Sequence, residues 1–292
     1  MTIYNFGSLN IDHVYRIDHC ASPGETVDCS DFSMYAGGKG ANQSIAIARA
    51  GGKVCHVGKI GYDGLWIVEN MKNDGVDTSN IYSSTKPTGH AIVLVDKFGM
   101  NQIVIYGGTN RDITTDEIDM VINKCGPDDI VLIQNEINNN NYIIGCAADA
   151  GLQVVFNPAP MTEEVFSFAL DNVGMFIINE REGKVLSGES IPERIVDAIV
   201  KKYNKSKVVL TLAEKGALYA DCDKRISIPG CYVEVIDSTG AGDTFIGYML
   251  ALIQKGKSIE ECLKFANKAA AMSVGRRGAA ASIPKLHEVE VF

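Results

Sequence analysis

The chain has 292 residues, 46% of them hydrophobic and 22% charged, enough for one large core or two unequal ones. Its 36 acids against 27 lysines and arginines leave a net charge of −9, which argues against a surface for nucleic acid or anionic membrane. Eight cysteines without a Cys-x-x-Cys pair and five scattered histidines exclude zinc-ligand spacing, and they fit a reducing, cytoplasmic compartment better than a disulfide framework.

No basic segment leads into an apolar run at the start, so Ile3–Gly7 reads as a first strand rather than a leader. No later run is long and apolar enough to span a bilayer. Asn10 and Asp12 follow that strand directly. Residues beyond the carboxyl end of a strand in an open α/β sheet face the ligand crevice, where a carboxylate and an amide can grip vicinal hydroxyls. A local Asx turn explains them equally well. Two hairpin-like pairs come next, His13–Asp18 with Thr26–Tyr35 and His90–Asp96 with Gln102–Tyr106. They predict a small β subdomain from segments of about 13–35 and 89–107, a candidate lid. The alternative is an antiparallel extension of the main sheet.

Between these pairs lies Gly37-Gly38-Lys39-Gly40-Ala41-Asn42-Gln43, followed by a helical run over Ser44–Ala50. This is not a nucleotide P-loop, because Ser33 stands where the first glycine of that spacing belongs, and no dinucleotide fingerprint follows a strand. A glycine loop at a helix start with one cation, Lys39, and one amide, Asn42, suits a polyol. A structural turn with a surface lysine is the plain alternative.

From Ile130 the pattern alternates: a strand at Ile130–Gln134, a helix near Asn139–Ala150, and a strand at Gln153–Phe156. Gly174–Ile178 is another strand, Glu193–Tyr203 a helix and Val208–Leu212 a strand. Short apolar runs between helices predict an α/β fold with a doubly wound, mostly parallel sheet. A β-type stretch at Val233–Asp237 then enters a turn with Gly240 and Gly242, and helices follow over Ala241–Gln254 and Ile259–Val274. Glycines let backbone approach an oxyanion, and the free N–H groups of a first helical turn point at it. Asp243 among those donors repels a bound phosphate unless it takes a proton from a hydroxyl attacking that phosphate. The simpler reading is a helix-capping aspartate. Histidines 13, 19, 56, 90 and 287 read as packed or solvated, and Trp66 as core.

The Gly37–Gln43 run and Asp237–Phe245 resemble the two signatures of the ribokinase-like (PfkB-type) carbohydrate kinase family. Gly-Ser-x-Asn-x-Asp at 7–12 and Arg-x-Gly-x-x-x-Ser-x-Pro at 276–284 extend the likeness over essentially the whole chain. The resemblance implies transfer of the γ-phosphoryl group of ATP to a primary sugar hydroxyl, first of all O5 of D-ribose. Fructose, deoxyribose or a nucleoside are the alternatives. It makes Asp243 the base, with the N–H groups of Gly240, Ala241 and Gly242 as the anion hole. Asn10, Asp12, Gly38, Lys39, Asn42 and Glu136 would hold the sugar. Asn179 and Glu182 would organise Mg²⁺ and phosphates through water, although an acid-rich helix start explains them too. Thr211, Gly216 and Asn267 would meet the nucleotide, with Ala213 departing from a position where relatives carry glycine. Asp237, Thr239, Ser273, Arg276, Gly278 and Ser282 would surround a monovalent cation such as K⁺. A homodimer through the lid is implied as well. A non-catalytic sensor that kept the fold is the rival of another class, and Asp243, both glycines and the Asn179–Glu182 element speak against it.

Overall fold

A computed structural model describes residues 1–292. Strand β1 (Ile3–Phe6) leads at once into two strands of a separate sheet, β2 (Asn10–Ile17) and β3 (Cys29–Gly37), and then into α1 (Lys39–Arg49). The chain returns through β4 (Val54–Ile60), α2 (Leu65–Asn73) and β5 (Asp77–Ser83). It crosses back for β6 (Gly89–Val95) and β7 (Asn101–Tyr106), then re-enters at α3 (Thr115–Ile122). Strand and helix then alternate through β8 (Ile130–Gln134), α4 (Asn140–Asp149), β9 (Gln153–Asn157) and β10 (Met175–Asn179). After α5 (Glu180–Ser187), α6 (Pro192–Lys202) and β11 (Lys207–Thr211) comes the pair β12 (Ala217–Ala220) and β13 (Arg225–Ile228). Helices α7 (Ala241–Gln254), α8 (Ile259–Val274) and α9 (Leu286–Val291) finish the chain.

The main sheet has nine strands in the order β13-β12-β11-β10-β9-β8-β1-β4-β5, antiparallel only where β12 meets its two neighbours. Its central strands are apolar on both faces because helices cover both. All five residues of β8 are buried. Alternate side chains feed two cores: Ile130 and Leu132 pack toward α1, α7 and α8, while Val131 and Ile133 pack toward α3, α4 and α6. Helices α1 and α7 touch closely, and a Cβ added at Gly247 would stand 2.3 Å from the Ala46 Cβ. That contact sets the first turns of the two helices side by side.

The expected lid is a second, four-stranded sheet, order β3-β2-β6-β7, and not an extension of the first. Its two hairpins join through a parallel β2–β6 ladder. Three local expectations need correction. Asn10 and Asp12 are not in a loop beyond β1 but belong to β2, because the lid ladder begins at Asn10 opposite Gly37 and Gly89. Helix α1 begins at Lys39 rather than Ser44, so Lys39 and Asn42 lie in its first turn. Val233–Asp237 forms no strand. Its β-branched residues have no neighbouring strand to pair with, and the Ile236 and Asp237 N–H groups donate instead to the Val274 carbonyl at the end of α8. No helix is long and apolar enough to cross a membrane, and none of the eight cysteines is paired.

Candidate active site

The carboxyl ends of the parallel strands, the base of the lid and the first turns of α1 and α7 converge on one cleft. Close backbone approach builds its floor: a Cβ on Gly40 would meet the backbone of Gly7 and Ser8 at 2.4 Å, so α1 starts directly on the end of β1. The Ser8 hydroxyl donates to Glu136, and the Lys39 N–H donates to the same carboxylate oxygen at 2.9 Å. Glu136, Lys39, Asn10 and Asp12 are thereby brought to one side, with Gly38 turning the chain into α1 at φ 94°.

Asp243 is buried, and each carboxylate oxygen receives an amide hydrogen from α1. Asn42 Nδ2 donates to Oδ2 at 3.1 Å, and Gln43 Nε2 donates to Oδ1 at 2.9 Å. The Asn42 Oδ1 remains buried without a partner, an acceptor aimed at a ligand hydroxyl or water. Asn10 is fixed by Asn110, whose Nδ2 donates to the Asn10 Oδ1 at 2.7 Å, which leaves the Asn10 amide hydrogens for a ligand. Asn110 also bonds both backbone groups of Leu9, yet no motif around it singled it out.

Charge in the cleft is paired and poised. The Lys39 ammonium is held above its ordinary range, chiefly by the charge of Asp243 against the pull of burial, with Glu136 and Glu182 adding to it. Burial, and then the nearby Glu136, push the Asp12 carboxyl up to about 6. It therefore ionises only near neutrality, and hydroxyl donors would favour its charged form.

On the other side, α7 opens at Gly240, with φ 77°. The N–H groups of Gly240, Gly242 and Asp243 have no protein acceptor, whereas Ala241 N–H already makes a long 3.3 Å bond to the Ser238 carbonyl. Free donors at a helix start can receive an anion. Of these, the Asp243 N–H was not among the expected donors. Asn179 and Glu182 cap each other across α5: the Glu182 N–H donates to Asn179 Oδ1 at 2.9 Å, and Glu182 accepts from the Asn179 backbone and side chain. Burial raises the Glu182 carboxyl, against the donors of Asn179 and the charge of Lys39. A carboxylate so engaged fits a Mg²⁺ held through water rather than directly. A cleft of about 230 Å³ runs from Lys39 and Asp243 past Asn179 and Glu182 to Thr211. Gly216 (φ 103°) and Asn267, which bonds the Pro229 carbonyl, stand beyond it. A larger hollow of about 430 Å³ lies at the far end of α1, around Arg49 and Asp74, which pair with each other; it has none of this chemistry.

Asp237 ties two loops together. Its Oδ1 accepts from the Thr239 N–H and hydroxyl, and its Oδ2 accepts from the Gly278 N–H at 2.9 Å. Burial pushes its carboxyl up, but those donors outweigh it and hold the group below its usual value. The Ser273 and Ser282 hydroxyls donate back to the Ala270 and Ala279 carbonyls, and Arg276 pairs with Glu288. Both Asp237 oxygens and both serine hydroxyls are thus engaged within the protein, and a hard cation at this place would be met by oxygen ligands.

Comparison with known proteins points to one family. Residues 2–286 match the pfkB family of carbohydrate kinases. A ribokinase of Haemophilus influenzae is 33% identical over 305 residues, covering 100% of this chain and 98% of its own length. The crystal structure of a Cryptococcus neoformans ribokinase in complex with ADP superposes with a TM-score of 0.89 at 31% identity, covering 99% of each chain. An Arabidopsis thaliana ribokinase complexed with ribose and ATP gives 0.88 at 31% identity, covering 99% of this chain and 97% of that one.

Proposed function

This chain belongs to the pfkB family of carbohydrate kinases, phosphotransferases with an alcohol acceptor, and from that premise we propose that it phosphorylates D-ribose at O5 with ATP. The observation that carries the reading is the position of Asp243. It is a buried carboxylate between polyol-type groups on one side and free helix N–H donors on the other.

Asn10, Asp12, Lys39, Asn42 and Glu136 offer donors and acceptors for the sugar hydroxyls. Asp243 takes the proton of the attacking hydroxyl as the bond from its oxygen to the γ-phosphorus forms and the bond from that phosphorus to the ADP oxygen breaks. The N–H groups at the start of α7 face the charge that develops on the transferred group. Both substrates are held in line in one cleft, so positioning supplies much of the acceleration. Asn179 and Glu182 would hold Mg²⁺ through water, and the ion, when bound, supplies charge neutralisation of the phosphates. Asp237 with the 276–282 loop would hold K⁺, which would steady the loop beside the anion site. Unpaired cysteines support a reducing, cytoplasmic setting. The lid leaves β3 and β7 as open edges and exposes Phe32, Met34, Ile103, Val104 and Ile105, which supports pairing with the lid of a second copy.

The test is ADP release from Mg²⁺-ATP against ribose, deoxyribose, fructose and nucleosides, each with K⁺ and with Na⁺. Turnover highest on ribose and raised by K⁺ is expected. Faster turnover on another acceptor would overturn the sugar assignment, and no turnover on any of them would overturn the kinase reading.

A further inference from the structure

A line of buried polar side chains leads away from Asp243 into the protein, touching the cleft only at Asn157. Gln43 Nε2, which donates to Asp243 Oδ1, also reaches Asn157 Oδ1 at 3.3 Å. Gln134 Nε2 donates to the Gln43 Oε1 at 2.7 Å and to the Asn5 Oδ1 at 2.8 Å. Asn5 Nδ2 donates to the Ser44 hydroxyl at 2.8 Å, and that hydroxyl meets His56 Nδ1 at 2.9 Å. Asn5, Gln43, Ser44, His56 and Gln134 are all 0% exposed.

We propose that Gln43 is a positioning residue for the base: the amide line locks its orientation, and it in turn fixes the plane of the Asp243 carboxylate. The proposal rests on the reading of Asp243 as the base. The argument is one of direction. Gln134 spends both amide hydrogens, one on Asn5 and one on Gln43, so the Gln43 carbonyl is occupied and its NH₂ must face Asp243. Turned over, Gln43 would set an oxygen against the carboxylate and an NH₂ against another NH₂. Polar groups this deep are costly unless bonded, and an apolar residue at position 43 would avoid that cost. Retaining a glutamine is accounted for by what it does at the end of the line. Amides do not pass protons, and the far end is a neutral histidine, since burial pushes His56 down to about 4. The line therefore carries orientation only. The proton taken by Asp243 must leave toward the cleft, where Lys39, Glu136 and Glu182 are the charged groups.

The experiment compares Gln43→Met with the wild-type enzyme and with Asp243→Asn, using ATP and ribose. Gln43→Met keeps the length of the side chain and removes its donor. We expect kcat to fall on the order of tenfold or more with ribose KM changed by less than about threefold. Unchanged kcat alongside a lowered Tm would make Gln43 merely structural and overturn the proposal. Full turnover by Asp243→Asn would instead sink the base reading itself, and it is read on a different protein. If Gln43→Met does not fold, Gln134→Met decides, because it removes the donor that holds the Gln43 carbonyl: kcat must fall with ribose KM little changed, and an unchanged kcat overturns the proposal.

Discussion

The two sides of the cleft are built in opposite ways. The sugar side is set by regular elements and buried amides: Gln43, Gln134 and Asn5 are sealed from solvent, and α1 sits on β1 with no room for a methyl group. Apart from the buried Glu182, the proposed nucleotide side is made largely of exposed turns. Val235 and Ile236 are 65% and 57% exposed, Gly242 has open space around it, and the loops at 237 and 278 meet through one aspartate. One side is organised before its ligand arrives, while the other leaves much of its surface for ligands to cover. Binding energy on the first need not be diverted to ordering side chains. On the second, the proposed nucleotide and its ions would supply part of the order.

The contrast can be broken most directly at the residue where the sides meet. Asp243→Asn should lower kcat on the order of 10³-fold while ribose binding survives, as read by titration calorimetry. Paired glycine substitutions come next. Gly40→Ala forces a methyl into backbone and should cost about 2–3 kcal/mol in a denaturant melt. Gly242→Ala meets nothing within 4 Å and should stay within about 0.5 kcal/mol. Equal costs would mean that the sides do not differ as described.

A pH series sharpens the sugar side. Asp12 carries a proton below about 6 and then accepts less well from a hydroxyl, so kcat/KM for ribose should drop as pH falls through that value. The Asp12 contribution should approach about tenfold per pH unit and vanish in Asp12→Asn, which binds ribose weakly at every pH. The smallest effect is on the nucleotide side. Ala213 is held at φ 50°, in the left-handed region, beside Thr211. Ala213→Gly should relieve roughly 1 kcal/mol of strain and raise the Tm slightly, while the looser turn raises the KM for ATP. An unchanged Tm would show that this turn stores no strain.

Sequence patterns read these two sides unequally. Lys39, Asn42 and Asp243 were legible because glycines at a helix start restrict what the neighbouring side chains can do. The parallel sheet was legible from its continuous apolar runs. His56 is packed, as a lone histidine suggests, but nothing in the motif around Gln43 pointed to its link with Gln134 and Asn5. A polar residue within a strand or helix declares its partners only when distant segments meet, and Asn5 reaches Gln134 across 129 positions. Asn110 was hidden for the same reason. The error at Val233–Asp237 has another cause: β-branched residues favour extended backbone, but a strand exists only where a second strand is beside it. The loops at 237 and 278 act largely through backbone groups, whose placement side-chain identity barely records.

The route of the chain through the lid has a mechanical consequence. The small sheet is spliced into the chain at four points: before Asn10, after Gly37, before Gly89 and after Tyr106. At the first, Asn10 is itself a lid residue, and at the second the chain passes within two residues to Lys39, the start of the helix that grips Asp243. A cover strapped down in this way cannot swing like a door on one hinge. Any tilt of the sheet would pull on the root of α1, so under the proposed function the lever that would shut the sugar in is joined to the part that would aim the base.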